Sequence, residues 1–565
     1  MSTSLAMDKP LAIDLSHHLS TLAKSRVPSP LKGMYKYFTR PGILMLAGGL
    51  PPPAYFPYES IECTTLKPNS FKTTQPGYVQ AVWNWIKGVE TDRWTISKWD
   101  ADKQKVQLST ALQYGTAAGL FPLAQFIHEF VDKVYGPAYA DFHCVINAGS
   151  TDAWGKIVTT LCEPGDGVLC EEWTYPSALA TAWPTGMKPV PLPMDGGGLT
   201  VEGMDHLLAT WDPAEHDGMR RPRILYTVPV CQNPTGATMT YERKKQIYEL
   251  AVKYDVIIVE DDPYYFLQAP PYVPRSARAS SSATKSATET DKEFLESLVP
   301  SYLRCDTQGR VVRIDTFSKT ICPGSRLGFT VCNPVFGERL EKANESSTQS
   351  ASGFAQALVG KLLAEEWKFE GYLRWLKGLK AQYRDRRDCL VDLLVSSCDA
   401  GLDPRQAGQN SWELVLRDAS HATGRIKTID LDEKGKDRGT KVLSFVAPQG
   451  GMFVWLRIHF ASHPSFNVVP TSTLLWSLWE DLAEHNVLVA PGSMFSGRVF
   501  PPKIPTNEVE DGGTEMATMT DWNDAVDHKT GDGFFRIAFS TATEDQMREA
   551  TKIIGKRVER FFRKE

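Results

Sequence analysis

Short apolar runs alternate with helical patterns through the middle of the chain. The strand-like runs lie at residues 143–146, 167–170, 224–228, 256–259 and 311–314. Helices are predicted over 121–135 and over 240–254, where Ile247 and Tyr254 recur at helical spacing behind Thr240 as the N-cap. Because strands that alternate with helices form parallel sheets covered on both faces, we predict an α/β fold with a mostly parallel central sheet sandwiched by helices.

The same patterns divide the chain into three segments. Residues 1–107 are predicted to form an N-terminal arm, which packs on the rest of the protein, and a small-domain segment with an insertion. Residues 108–380 hold the large domain, 381–565 hold a smaller C-terminal α+β domain, and a long charged helix over 367–394 connects the two. Segments without a clear period, predicted to be surface insertions, lie near 68–105, 266–302, 401–441 and 500–532.

Composition narrows the class of protein. Of the 565 residues, 42% are hydrophobic and 23% are charged, which is ordinary globular composition. The formal net charge of -5 gives no overall attraction to nucleic acid or to anionic lipid, so we expect neither partner. The N-terminus lacks the apolar stretch of a secretory signal, and no run is long enough to span a bilayer. Together with ten cysteines that form no Cys-x-x-Cys pair, this predicts a cytoplasmic protein with free thiols.

The histidine pattern does not indicate a metal site. His459 and His463 have helical ligand spacing, but no glutamate follows the first and Pro464 follows the second. We therefore favour a loop or surface position for both histidines and predict no bound metal.

A lysine stands where the last strand-like run of the large domain ends. The run 311–314 places Ser318 and Lys319 at the carboxyl end of a strand, where ligands bind in open α/β sheets. A partly desolvated lysine beside a second cation, here Arg326, keeps a low pKa and can form a Schiff base as an amine nucleophile. The Ser-Lys pair alone is better explained by a surface lysine. The interpretation of Lys319 as a nucleophile therefore depends on the residues at the other strand ends.

Two of those strand ends carry groups that could bind an aromatic ring with polar substituents. Asp261 follows the run 256–259 and could stay ionised against a protonated ring nitrogen, as in pyridoxal phosphate, or could cap a helix. Asn233 follows the run 224–228 and could donate a hydrogen bond to a phenolate oxygen, or could belong to a plain turn. Both interpretations stay open for each residue.

Two further strand ends could hold the remaining parts of such a ligand. Ser150 and Thr151 open a helix pattern and could bind a phosphate there, although Ser150 also suits a plain N-cap. Tyr175 or Trp173 could stack on a flat cofactor, although an aromatic residue near a strand end more often belongs to the core.

Taken together, these motifs resemble those of a known family. In chain order they are Leu-Gln-Tyr-Gly at 112–115, Gly-Ser at 149–150, Asn-Pro-Thr-Gly at 233–236, Asp-Asp-Pro-Tyr at 261–264 and Thr-Phe-Ser-Lys at 316–319. The ordered set resembles the fold-type I pyridoxal-phosphate (PLP) aminotransferases, in the branch of kynurenine/2-aminoadipate and fungal aromatic-amino-acid aminotransferases. The resemblance runs from about Ser25 to the C-terminus, interrupted by the insertions.

The resemblance implies the PLP-dependent transferase fold type I and a role for each matching residue. Lys319 would be the Schiff-base lysine, Asp261 would bind the pyridine nitrogen, and Asn233 with Tyr264 would bind the ring hydroxyl. Tyr175 would stack on the ring. The phosphate would be held by Ser150, Thr151, Ser318 and Arg326, joined by Tyr114 from the neighbouring subunit of a homodimer with shared active sites.

For the substrate, the resemblance implies that Arg536 binds the α-carboxylate and that Asn233 also contacts the substrate. Gly49 belongs to the N-terminal segment that lines the pocket, and Lys32 stands where a relative has an arginine that contacts substrate. The preference for one distal side chain over another stays open.

The activity implied is ping-pong transfer of the amino group of aromatic amino acids, of 2-aminoadipate, or of both, to 2-oxoglutarate. Lys319 would move the Cα proton as general base and then acid. One alternative is a PLP-dependent lyase or decarboxylase, because those reactions use the same lysine and aspartate. A PLP-sensing transcription regulator is a second alternative, but the short proline-rich arm leaves little room for a DNA-binding helix-turn-helix.

Overall fold

The computed structural model describes residues 9–27, 40, 42, 44, 49–71, 90–278, 289–396, 401–408, 410–416, 439–498, 526–527 and 529–563. Its strands are β1 (Ser60–Leu66), β2 (Thr91–Ser97), β3 (His143–Asn147), β4 (Gly167–Glu171), β5 (Lys188–Leu192), β6 (Met194–Asp195), β7 (Gly198–Leu199), β8 (Ile224–Thr227), β9 (Ile257–Asp261), β10 (Val311–Thr316), β11 (Gly328–Cys332), β12 (Leu402–Gly408), β13 (Ser411–Leu416), β14 (Thr440–Val446), β15 (Phe453–His459), β16 (Ala490–Pro491), β17 (Val526–Asp527) and β18 (Asp532–Ala538).

The α-helices are α1 (Thr21–Ser25), α2 (Leu108–Ala111), α3 (Phe121–Val134), α4 (Ser150–Leu161), α5 (Pro176–Ala182), α6 (Val201–Ala209), α7 (Tyr241–Tyr254), α8 (Asp291–Glu296), α9 (Pro334–Glu345), α10 (Gly353–Gly360), α11 (Lys368–Ser396), α12 (Thr471–Glu484) and α13 (Glu544–Arg563). A π-helical turn, Lys361–Trp367, joins α10 to α11. Within the described ranges, no helix combines the length and the apolar character needed to cross a membrane.

The large sheet has seven strands in the order β3-β11-β10-β9-β8-β4-β5. Every neighbouring pair is parallel except those of β11, which runs antiparallel to both β3 and β10. All residues of β4, β8, β9, β10 and β11 are buried, so both faces are covered, because successive side chains of a strand point to opposite faces. Helices α3, α4 and α9 contact β3, and α7 contacts β9. The predicted fold class is confirmed.

Local sequence explains the helix that was predicted most sharply. Helix α7 begins after Thr240, whose hydroxyl accepts a hydrogen bond from the Arg243 amide, and it ends at Asp255 in the left-handed conformation at φ +56°. Ile247 and Ala251 are fully buried on its inner face. Helix α3 likewise matches the prediction, ending one residue earlier.

A second sheet lies in the C-terminal part of the chain, in the order β12-β13-β14-β15-β18-β16, and all its pairs are antiparallel. Its hydrophobic core is distinct from that of the large sheet. Helix α11 connects the two cores, with Tyr372 and Leu376 in the first and Leu390 and Leu394 in the second. This arrangement supports the division near residue 380, which stays a prediction.

Three sequence predictions need correction. The stretch 401–441 is not a surface insertion in its described part, because β12 and β13 belong to the second sheet and Trp412 and Leu414 are buried. The stretch 68–105 contains β2, which pairs with β1 and buries alternate residues Trp94 and Ile96. His459 and His463 are buried rather than on the surface: His459 contacts Asp532 and Ser444. Residues 279–288 and 499–525, in two other predicted insertions, lie outside the described residues.

Two strands of the large sheet were not predicted. β5 contains Pro189 and Pro191, which read as strand breakers but are tolerated because β5 is an edge strand. β11 follows the predicted turn after Lys319 so closely that its sequence resembles part of the site more than a separate strand. In the described part of the arm, Leu15, Leu19 and Ala23 are buried in the first core, which supports the arm prediction.

Candidate active site

Five parallel strands bring their carboxyl ends to one edge of the large sheet. β3, β4, β8, β9 and β10 all end there, and the antiparallel β11 begins there. The residues that follow these ends are those singled out in the sequence: Ser150, Tyr175, Asn233, Asp261 and Lys319. Since ligands bind at the carboxyl ends of strands in open α/β sheets, this edge is the candidate active site.

Lys319 lies in a tight turn directly after β10. The amides of Thr320 and Ile321 both donate to the Phe317 carbonyl, at 3.3 and 2.8 Å, and Lys319 itself is half-buried. Burial and the nearby charge of Arg326 lower the pKa of the Lys319 amine below its ordinary value. A larger fraction of neutral amine is therefore present than in an exposed lysine, which is what a nucleophile or a general base requires.

Asp261 is the last residue of β9 and is buried. The Tyr226 hydroxyl, on the adjacent strand β8, donates to Asp261 Oδ2 at 2.8 Å. The other oxygen, Oδ1, is buried and has no hydrogen-bond partner among the described residues. Burial raises the pKa of Asp261 to about 6, while the hydrogen bond from Tyr226 acts in the opposite direction. One face of this carboxylate is thus available for a cationic partner.

The N-terminus of α4 and Arg326 together form an anion site. Gly149, at φ +97°, precedes the helix, and the Arg326 Nη2 donates to the Ala148 carbonyl at 3.1 Å. A Cβ at position 149 would lie 2.5 Å from that nitrogen, so only glycine lets the guanidinium approach. The Ser150 hydroxyl oxygen is buried without a partner in the described chain. Backbone amides, a hydroxyl and a guanidinium directed at one place suit a phosphate.

Asn233 links the large sheet to the second sheet. Arg536, on β18, donates from Nη1 to Asn233 Oδ1 at 2.8 Å. With its oxygen engaged by the arginine, the Asn233 side chain keeps its NH₂ group as a donor for a ligand. Burial lowers the pKa of Arg536, and Tyr264 and Tyr175 are close enough to oppose that effect electrostatically. Tyr264 is buried, and burial raises its pKa.

The loop after β4 carries the aromatic residues. Tyr175 is partly buried and precedes α5. Trp173 packs on the second sheet instead, with ring centroids 5.5 Å from Trp455 and 5.0 Å from Phe534. Of the two candidates for ring stacking, Tyr175 therefore has the better position. The Thr174 amide donates to the Phe495 carbonyl at 2.8 Å, which fixes the loop against the second sheet.

Several of the predicted site residues are exposed on this chain. Thr151 is exposed, and Tyr114 is 63% exposed on the surface of this chain. Gly49 is also exposed, near Pro51, whose carbonyl accepts from the Gln113 side chain at 2.8 Å. The segment with Gly49 and the residues beside Tyr114 thus lie together. Lys32 lies outside the described residues.

Ser318 is held by its own strand. Its amide donates to the Thr316 hydroxyl oxygen at 3.1 Å, and that hydroxyl donates to Ser318 Oγ at 2.9 Å. The serine side chain is therefore oriented beside Lys319.

Sequence reasoning missed a buried charge cluster beneath the site. Arg313, fully buried in β10, lies 3.1 Å from Glu260 and from Asp262, the two neighbours of Asp261. Its guanidinium also lies 4.0 Å from the centroid of the Tyr135 ring. In the sequence, the signal for this cluster is Arg313, a charged residue inside the otherwise apolar run 311–314. The cluster anchors the end of β9 on both sides of Asp261. Tyr226 was missed too, because a tyrosine inside a strand gave no signal.

Comparison with known proteins decides the family. The family model described as "Aminotransferase class I and II" matches residues 90–418, more than half of the 565 residues. The chain belongs to the class I and II aminotransferases. The family and enzyme class predicted from the sequence motifs are thereby confirmed.

This aminotransferase is similar to fungal relatives over most of its length. An L-tyrosine:2-oxoglutarate aminotransferase of Serpula lacrymans is 32% identical over 570 residues, covering 97% of this chain and 96% of the relative. An aromatic amino acid aminotransferase of Schizosaccharomyces pombe is 37% identical over 406 residues, covering 71% and 81%. The crystal structure of the aminotransferase Aro8 from Candida albicans matches with a TM-score of 0.77 at 32% identity, over 98% of this chain and all of that chain.

Proposed function

We propose that this aminotransferase uses PLP to transfer the amino group of aromatic amino acids, and of 2-aminoadipate, to 2-oxoglutarate. The observation that carries the proposal is the buried Asp261 carboxylate with one unpartnered oxygen, at the same sheet edge as the half-buried Lys319. The names of the Serpula and Schizosaccharomyces relatives support tyrosine and other aromatic amino acids as donors and 2-oxoglutarate as acceptor. The 2-aminoadipate activity rests on the sequence motifs alone.

The residues present fit PLP. Asp261 Oδ1 and Ser150 Oγ are buried polar atoms that make no hydrogen bond of normal geometry in the described structure, and the Ser150 hydroxyl is close enough to Asp261 to lower its pKa. A ligand would complete the hydrogen bonding of both groups. Asp261 would bind the ring nitrogen, Asn233 and Tyr264 the ring hydroxyl, and Tyr175 the ring face. The phosphate would be held by Ser150, Thr151, Ser318 and Arg326.

When bound, PLP supplies the electron sink that stabilises negative charge at the substrate Cα. The protein supplies the proton transfer and the orientation. The Lys319 amine, with its lowered pKa, would accept the proton from the substrate Cα as general base and deliver it as general acid to the C4′ carbon of the cofactor. The Arg536 guanidinium binds the substrate α-carboxylate, so that the Cα–H bond faces Lys319.

The full site requires a second copy of the chain in this proposal. By its match to the family motif, Tyr114 would come from the neighbouring subunit of a homodimer, and it is 63% exposed on its own chain. Gly49, close to it through the Gln113–Pro51 hydrogen bond, and Lys32 would line the substrate pocket.

The test is the visible absorption of the purified protein with bound PLP. Phenylalanine, and separately 2-aminoadipate, is added without any oxo acid, and 2-oxoglutarate follows. We expect the absorption band of the lysine-bound cofactor to bleach with each amino acid and to return with 2-oxoglutarate. A band that neither amino acid changes would refute the substrates, and the absence of any band after PLP is added would refute the site built on Lys319.

A further inference from the structure

Two phenylalanine rings lie against the guanidinium of Arg536. The guanidinium carbon is 4.2 Å from the centroid of Phe453 and 4.7 Å from that of Phe495. Phe453 begins β15, and Phe495 ends the turn that follows β16; these are the two strands that flank β18 in the sheet. Both rings are buried, so the cation is desolvated where it meets them, which strengthens the attraction to a ring face.

The hydrogen bonds of Arg536 leave part of its guanidinium for a ligand. Nη1 donates to Asn233 Oδ1, whereas Nε is buried and has no acceptor in the described part of the chain. Because Nε is covered by protein atoms, we expect a ligand to reach the guanidinium at Nη2.

We propose that Phe453 and Phe495 are positioning residues that hold the plane of the Arg536 guanidinium and thereby orient it towards the substrate carboxylate. The inference rests on the proposed function, in which Arg536 binds that group. The Asn233 hydrogen bond fixes one corner of the guanidinium, and the two rings restrict its rotation about the side chain. The rings act on the carboxylate through the arginine. Phe453 also meets the Tyr264 ring edge-on, with centroids 5.8 Å apart, so Phe495 is the residue that isolates this effect.

The test uses two probes that separate these groups. Hydrocinnamate has the carboxylate and the aromatic ring but no amino group, and phenethylamine has the amino group and the ring but no carboxylate. Their dissociation constants are measured by calorimetry on the PLP-loaded enzyme. The variants are Phe453→Leu, Phe495→Leu and Arg536→Gln. Phe535→Leu is the matched control, because Phe535 is equally buried one residue along β18 and points to the opposite face.

We expect Phe453→Leu and Phe495→Leu each to weaken hydrocinnamate binding about tenfold, and Phe535→Leu to change it less than twofold. Phenethylamine binding should change less than twofold in all three. Equal hydrocinnamate binding by the Phe495→Leu, Phe453→Leu and control proteins would overturn the positioning role. If Arg536→Gln binds hydrocinnamate as tightly as the parent does, the proposed carboxylate site itself fails, which is a separate outcome.

A second measurement tests the proposal even if the leucine variants do not fold. A fluorinated phenylalanine, introduced only at position 495, keeps the shape of the ring but weakens the negative charge of its face. We expect hydrocinnamate to bind about threefold more weakly to this protein, with the thermal midpoint unchanged. Unchanged hydrocinnamate binding would show that the ring serves packing alone and would overturn the proposal for Phe495.

Discussion

Asp261 has a carboxylate whose pKa is set by opposing influences. Burial raises the pKa to about 6, and the hydrogen bond from Tyr226 at 2.8 Å keeps it from rising further. In the proposed function a protonated ring nitrogen binds the ionised carboxylate, so we expect cofactor binding to weaken as the pH falls through this pKa.

Replacing Tyr226 by phenylalanine should therefore shift this dependence to higher pH. A hydrogen bond to a charged group contributes about 1.5 kcal/mol or more, which corresponds to roughly one pH unit. We expect the break in the plot of PLP affinity against pH, measured on cofactor-free protein, to move from near 6 to about 7. Tyr302→Phe is the control, since the buried Tyr302 hydroxyl contacts Met239 instead. An unchanged break in Tyr226→Phe would refute the role of this hydrogen bond.

Lys319 allows a second prediction at this scale. Replacement by alanine removes the amine but little packing, because the side chain is only half-buried. We expect Lys319→Ala to keep its circular dichroism spectrum and its thermal midpoint and to lose transaminase turnover by several orders of magnitude. Lys377→Ala is a suitable control, because it removes a lysine of α11 that pairs with Asp291 of α8. Near-normal turnover in Lys319→Ala would contradict the assignment.

Single residues were predictable from sequence where strand ends and motif order coincide. Lys319, Asp261 and Asn233 stand directly after apolar runs, so their placement at one sheet edge follows from the topology of a parallel sheet. Phe453 and Phe495 could not be found in this way. Their contact with Arg536 depends on the pairing of β15, β16 and β18, which joins segments distant in sequence.

At the scale of elements, the hydroxyl of Thr240 stabilises helix α7 by accepting a hydrogen bond from the Arg243 amide at 3.2 Å. Removing such a cap costs about 1 kcal/mol. We expect Thr240→Ala to lower the free energy of unfolding by about that amount, measured by urea denaturation. Thr200 provides the control, because it occupies the same position before α6 but its hydroxyl donates to the Pro193 carbonyl at 3.1 Å instead of capping the helix. Equal losses in the two variants would argue against capping as the cause.

Elements were predicted well where burial is complete and poorly where it is mixed. The strands β8, β9 and β10 are uniformly buried because both faces are covered, and the apolar runs in their sequences predicted them. β12 is an edge strand whose second half is exposed, so its sequence resembles a polar loop. The prolines of β5 were misleading for a related reason, since only an edge position tolerates them.

For the molecule as a whole, the arm formed by residues 9–27 is attached to the large sheet through a charged cluster. His17 and His18 each lie 2.9 Å from a different oxygen of Asp255, which also pairs with Arg310 and Arg223. The Ser20 amide donates to the Thr160 carbonyl at 2.8 Å. Burial, and the charges of Arg223 and His17, lower the pKa of His18 to about 4, although Asp255 acts in the opposite direction.

The lowered pKa predicts that acid loosens the arm. Because an unfolded histidine titrates near 6.5, protonation favours the released arm, and the stability of the docked arm falls as the pH drops from 6.5 towards 4. We expect the hydrogen-exchange protection of the Ser20 amide to fall about tenfold between pH 7 and pH 5, after correction for the intrinsic rate. His18→Gln, which keeps a donor but does not titrate, should flatten this dependence. The same slope in both proteins would refute the role of His18.

The hydrogen bond between Arg536 and Asn233 joins residues 303 positions apart in the sequence, and this separation matters during synthesis. A ribosome adds about 5–20 residues per second, so Arg536 is made roughly 15–60 seconds after Asn233. Asp261, Lys319 and Arg326 are all translated in the meantime. The nascent chain therefore contains the lysine that we propose as the reactive amine well before the arginine that we propose selects amino acids as substrates.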